Sequence, residues 1–133
     1  MARLYREAPL NAIWEGSGNV VALDILRVFD RHSEAATAVL ETLAKMCGAA
    51  GKATVLEIRG WLASACREGQ ARVIAEKLAR LGALAAFIEA EDRLAEAYAA
   101  TRLVGPPRAT YGACDLKSVQ SLLLSRVLPP SLS

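Results

Sequence analysis

Apolar side chains recur at three- and four-residue spacing along most of this chain, and no stretch alternates apolar and polar positions in the way a half-buried strand does. The first such segment predicts a helix over 19–31, with Ser17 or Gly18 as its cap. Val20, Val21, Leu23, Ile25, Leu26, Val28 and Phe29 cover more than one of its faces, the pattern of a helix central to a bundle. Asp24, Arg27 and Arg31 share a polar strip, so Arg27 can pair locally with Asp24. A second helix is predicted over 33–47, started by Ser33 and Glu34 and striped by Ala36, Leu40, Leu43 and Cys47. Gly48 and Gly51 supply its stop. A third, over 53–67, carries Val55, Ile58, Leu62 and Ala65, with Trp61 beside that seam.

Gly69 marks a break before the cleanest stripe of the chain, Ile74, Leu78, Leu81, Ala85 and Ile88. Its opposite face reads Glu68, Arg72, Glu76 and Arg80, alternating signs that predict mutual pairing. The acidic run at 89–92 is either the first turn of a fifth helix or the interior of one long helix reaching Leu103, and two helices are the favoured reading. Leu94, Tyr98, Thr101 and Leu103 give the fifth a weaker stripe. Gly105, Pro106 and Pro107 end helical structure. Asp115 then caps a last helix over 116–128, with Val119, Leu122, Leu123 and Val127 inward, and Pro129 and Pro130 stop it. At the other end, residues 2–8 read as the last turns of a helix halted by Pro9. The pattern predicts an all-α protein, a bundle of five to six helices.

Composition agrees with that class. The chain has 133 residues, 53% of them hydrophobic and only 5% aromatic, so its contacts are built from small aliphatic side chains. A net charge of +2 is too small to argue for nucleic acid by itself. Cys47, Cys66 and Cys114 lie far apart without paired spacing, which excludes a disulfide framework and a zinc site and leaves them as small core residues. His32, the single histidine, reads as a helix-end residue. The charged start lacks a signal-peptide core and no apolar window reaches membrane-spanning length, so a cytoplasmic location without a membrane span is expected.

One stretch carries candidate chemistry. Glu15 stands at a glycine-serine turn, after Trp14 and before Gly16. A carboxylate there is either a helix-start acid or, held in a pocket that raises its pKa, a general base.

The runs Tyr5-Arg6-Glu7-Ala8 and Ile13-Trp14-Glu15-Gly16-Ser17 resemble the C-terminal signature of the acyl-CoA dehydrogenases. Trp14 together with Gly16-Ser17-Gly18-Asn19 resembles the AidB-like branch, the adaptive-response proteins linked to DNA alkylation. The resemblance implies that Glu15 is the base that takes a proton beside a thioester carbonyl, while FAD accepts hydride from the neighbouring carbon. It implies cofactor contact by Gly16, Ser17 and Asn19, with N-capping as the alternative role of Ser17. Trp14, bulky beside the base, would narrow the pocket for an acyl-CoA-like substrate. Serine stands where the family has threonine, and asparagine where it has glutamine.

The same resemblance divides the chain into residues 1–32, the end of a catalytic helical domain, and 33–133, an additional C-terminal helical domain. It implies a fragment of a larger flavoprotein, inactive alone because the helical and β-domains that complete the flavin pocket are not in it. It also implies a homo-oligomer and non-specific contact with duplex DNA, for which Arg27, Arg102 and Arg108 are the candidates; as ordinary helix-end residues they would instead cap or form salt bridges. The alternative reading is a non-catalytic helical module for oligomerisation or DNA binding.

Overall fold

The computed structural model describes residues 18–104 and 116–127. Within them the chain forms six α-helices: α1 (Gly18–Arg31), α2 (Ser33–Met46), α3 (Gly48–Leu62), α4 (Ala71–Glu89), α5 (Ala95–Arg102) and α6 (Gln120–Val127). Single 3₁₀ turns at Arg67–Gln70 and Lys117–Val119 lead into α4 and α6, and no strand occurs among the described residues. The all-α bundle expected from the spacing is therefore the architecture. The helical end at 2–8, Pro9, the Gly105-Pro106-Pro107 stop, Cys114, the Asp115 cap and the terminal prolines lie outside the described residues.

The helix at the centre is α4 rather than α1. It packs against α1, α2, α3 and α5, and Ala71, Ile74, Leu81, Leu84 and Ala85 are buried along it. Four side chains are essentially sealed from solvent, Ile58 of α3 and Ile74, Leu81 and Leu84 of α4. Each contributes roughly 1.5–3 kcal/mol through its removal from water. Ala22 and Leu26 of α1, Leu40 of α2, Val55 of α3 and Leu103 join them in one continuous cluster. Small residues supply much of the rest, so helices approach closely without aromatic bulk. Among the described residues Phe87 and Tyr98 form a ring pair, centroids 5.1 Å apart, that fastens the end of α4 to α5.

Five sequence expectations are corrected. In α1, Val20, Val21 and Val28 are exposed and only Ala22 and Leu26 are buried, because the helix lies on the outside of α4 and one face suffices for the contact. The third helix starts five residues early, at Gly48, and ends at Leu62, which leaves Ala65 beyond it and exposed. Gly48 adopts φ 59°, a left-handed turn that ends α2 and opens α3 with only Cys47 between them. Gly51 lies inside α3, buried against the end of α2, and stops nothing. At the far ends of two stripes, Val127 is 79% exposed and Ile88 38% exposed, each at or near the last residue of its helix. Of the two described cysteines, Cys47 is a core residue and Cys66 is exposed.

The favoured break after Glu89 is present: α4 ends there, Glu91 turns left-handed at φ 51°, and α5 starts at Ala95. Asp92 organises that corner. Its carboxylate accepts the Leu94 N–H at 2.9 Å and both guanidinium nitrogens of Arg126, at 2.8 and 3.2 Å. On the alternating face of α4, Arg80 pairs with Glu76 and also donates to the Arg102 carbonyl at 3.1 Å, closing the end of α5. Arg72 is exposed and makes no ion pair among the described residues, so the predicted pairing holds for only half of that face.

Candidate functional site

Of the residues predicted to carry chemistry, Trp14, Glu15, Gly16 and Ser17 immediately precede the described helix α1, and they and Arg108 lie outside the described residues. Asn19 is in the first turn of α1, exposed to solvent. That turn contains no acidic side chain. An added Cβ at Gly18 would meet no described atom within 4 Å.

Further along α1, Arg27 donates to the Asp24 carboxylate, the local pair expected from their spacing. Both side chains are more than half exposed, at 62% and 56%, so the pair is solvated and of little energetic weight. With Val28, Arg31 and His32 they line a shallow depression on the outer side of the helix. Arg102 ends α5, exposed, and its guanidinium makes no ion pair among the described residues. Arg27 is thus engaged with an acid, whereas Arg102 is free to meet an anion.

Neither Asp92 nor Cys47 is a candidate base. Asp92 is held below the usual carboxylate range, first by its hydrogen bond from Arg126 and then by the Leu94 N–H, against a smaller opposing effect of burial. A carboxylate so stabilised in its charged form accepts cations and does not abstract protons at neutral pH. Burial pushes the Cys47 thiol up, so it remains protonated and unreactive in the core, where its Sγ faces the Leu81 carbonyl at 3.7 Å. No group of histidine, cysteine and acidic side chains suited to a metal ion is found among the described residues. No described helix is long and apolar enough to cross a membrane.

Two features were not singled out from the sequence. One is the pair of bidentate tethers: Arg67 to Asp30, at 2.8 and 2.9 Å, and Arg126 to Asp92. They join residues 37 and 34 positions apart, and nothing in local spacing signals them. The other is a groove between α2 and α3, lined by Glu41, Ala44, Lys45, Lys52, Val55, Leu56 and Arg59. Its three cations recur every seven residues across the Gly48 turn, a signal visible in the sequence once that turn is known to fold the helices back on each other.

No protein-family model matches the chain. A stretch of 33 residues, 25% of the chain, is 58% identical to the protein of Escherichia coli (strain K12) named "Putative acyl-CoA dehydrogenase AidB". The matched stretch spans 6% of that protein's length. The similarity thus covers a quarter of the chain and a small part of a protein itself named a putative acyl-CoA dehydrogenase.

Proposed function

We propose that this chain is part of an AidB-type, FAD-dependent acyl-CoA dehydrogenase-like flavoprotein, with Glu15 as its catalytic base. The observation that carries the proposal is the 58% identity over 33 residues to the Escherichia coli protein. The Trp14-Glu15-Gly16-Ser17 run, which immediately precedes α1 in sequence, carries residue types suited to chemistry on a thioester. The flavin, when bound, accepts hydride. This chain would contribute the carboxylate, the small groups Gly16, Ser17 and Asn19 about the start of α1, and Trp14 against the acyl group. The depth of pocket needed to raise the pKa of Glu15 would come from the rest of such a protein. In a flavin-loaded, full-length protein containing this segment, Glu15→Gln is expected to abolish reduction of the flavin by acyl-CoA while leaving flavin content and melting temperature unchanged. Flavin reduction at an undiminished rate would rule out Glu15 as the base.

A second reading gives the helices after α1 a role in non-specific duplex DNA contact. The unpaired, exposed Arg102 favours it. Such contact is electrostatic, with a salt dependence of roughly one log unit in affinity per log unit of salt for each phosphate neutralised. Replacing Arg102 and Arg108 with alanine would then weaken binding to every duplex alike and flatten that dependence, as read by fluorescence titration across a salt series. Equal binding by the parent and the double variant excludes these two arginines from the contact.

A further inference from the structure

The outer side of the α2–α3 hairpin combines two unsatisfied properties. Leu56 projects from it with 74% of its surface exposed, next to Ala44 and the edge of Val55. Around this apolar strip stand three cations, Lys45, Lys52 and Arg59, against one acid, Glu41. Lys45 and Lys52 make no ion pair among the described residues, and Arg59 reaches Glu41 only at 3.4 Å with both side chains about half exposed. Glu57, the other acid of that stretch of α3, is turned away to Lys77 at 2.9 Å. The groove is therefore a basic rim around an apolar strip.

The corner between α4 and α5 has the opposite character. Glu89, Glu91, Arg93 and Glu96 follow one another along this corner, all exposed and none in an ion pair among the described residues. Asp92 does not compete, since its carboxylate is turned to Arg126 and the Leu94 N–H. Ile88, exposed at the end of α4, gives the acidic corner an apolar contact of its own. Glu91 takes a left-handed conformation, φ 51°, just beyond the end of α4.

We infer that these two surfaces bind each other between copies: the acidic α4–α5 corner of one molecule docks in the basic α2–α3 groove of the next, with Ile88 against Leu56. Three acids and one cation face three cations and one acid, so the attraction is complementary in sign and the apolar centres meet. The two patches are different surfaces, so the association is head-to-tail. The contact is made of exposed charges around a small apolar centre, so it is weak and sensitive to salt. This inference stands apart from the flavoprotein reading, since none of these residues belongs to the Glu15 turn.

Sedimentation velocity on the 133-residue chain tests it, compared between about 10 mM salt, where charges act over about 30 Å, and about 1 M, where they act over about 3 Å. Concentration-dependent association at low salt, lost at high salt, is the expected result. Lys45→Glu with Lys52→Glu makes the groove acidic, and Glu89→Lys with Glu91→Lys makes the corner basic; each variant alone is expected to be monomeric. Mixed in equal amounts they are expected to associate again, because each groove then meets a corner of opposite sign. Leu56→Asp is expected to raise the dissociation constant about tenfold or more through the lost apolar contact. All the substituted side chains are exposed, and thermal melts check that each variant stays folded. A parent that is monomeric at low salt overturns the inference and leaves the groove to an acidic segment of another protein or of this chain. Unaltered association in either charge variant, or a mixture that stays monomeric, overturns it as well.

Discussion

Gly51 and Gly60 lie in the same helix, and the structure gives them opposite meanings. A Cβ built on Gly51 would stand 2.6 Å from Cys47 Cβ and 2.9 Å from the Leu43 carbonyl oxygen, the latter a backbone atom that cannot swing aside. Glycine is therefore what lets α3 fold back tightly onto α2. At Gly60 an added Cβ would meet nothing within 4 Å, so glycine there only adds freedom to the unfolded chain. Gly51→Ala is expected to destabilise by about 1–3 kcal/mol through overpacking. Gly60→Ala is expected to stabilise by about 0.5–1 kcal/mol through helix propensity. Urea denaturation of the two variants checks both, and alanine tolerated equally at the two positions would refute the close approach. In the sequence the two glycines look alike. Gly51 reads as a helix stop because the contact that requires it lies on another helix.

The elements themselves were largely legible, because each helix carries a three- and four-residue stripe and meets its neighbours through it. The starts of α1, α2 and α4 and the break after Glu89 follow from that spacing and from capping and breaking residues. Two things did not follow. The extent of α3 was misplaced because Gly48 both ends one helix and begins the next, a double use that local rules do not anticipate. Burial was overestimated on α1 because apolar residues all round a helix show what could be covered, while α4 covers a single face. The candidate site was legible only as a short run of residue types; its geometry falls at Trp14 to Ser17, outside the described residues.

The tether between elements was not legible at all, and its energetics can be tested through pH. Asp92 is held below its ordinary carboxylate value, so the unfolded chain binds a proton more readily than the folded one in the window just beneath that value. The stabilisation is fully present above the ordinary value and is lost as pH falls through the lowered one. Asp92→Asn is expected to lower the melting temperature at neutral pH, and the gap from the parent chain is expected to close on acidification below about pH 4. A gap of constant size across that range would mean that the Arg126 contact contributes no charge-dependent stability.

The molecule as a whole divides by how its helices are held rather than by their order in sequence. Helices α1 to α5 share the cluster centred on Ile58, Ile74, Leu81 and Leu84. By contrast, among the described residues α6 has no buried residue and forms no broad interface with the other helices; Leu122 and Leu123 are half-buried, and the Arg126–Asp92 contact reaches back to the bundle. A partly exposed ion pair holding a short helix gives a locally openable element, because the helix can leave without uncovering the core. A chain ending at residue 104 is therefore expected to retain the bundle, with an unfolding free energy changed by no more than about 0.5 kcal/mol in urea denaturation, the range of surface changes. In the full chain, Arg126→Ala is expected to speed hydrogen exchange throughout α6 while the amides of α4 keep their protection. Loss of cooperative unfolding on truncation, or exchange in α4 accelerated together with α6, would show instead that the last helix is part of the cooperative core.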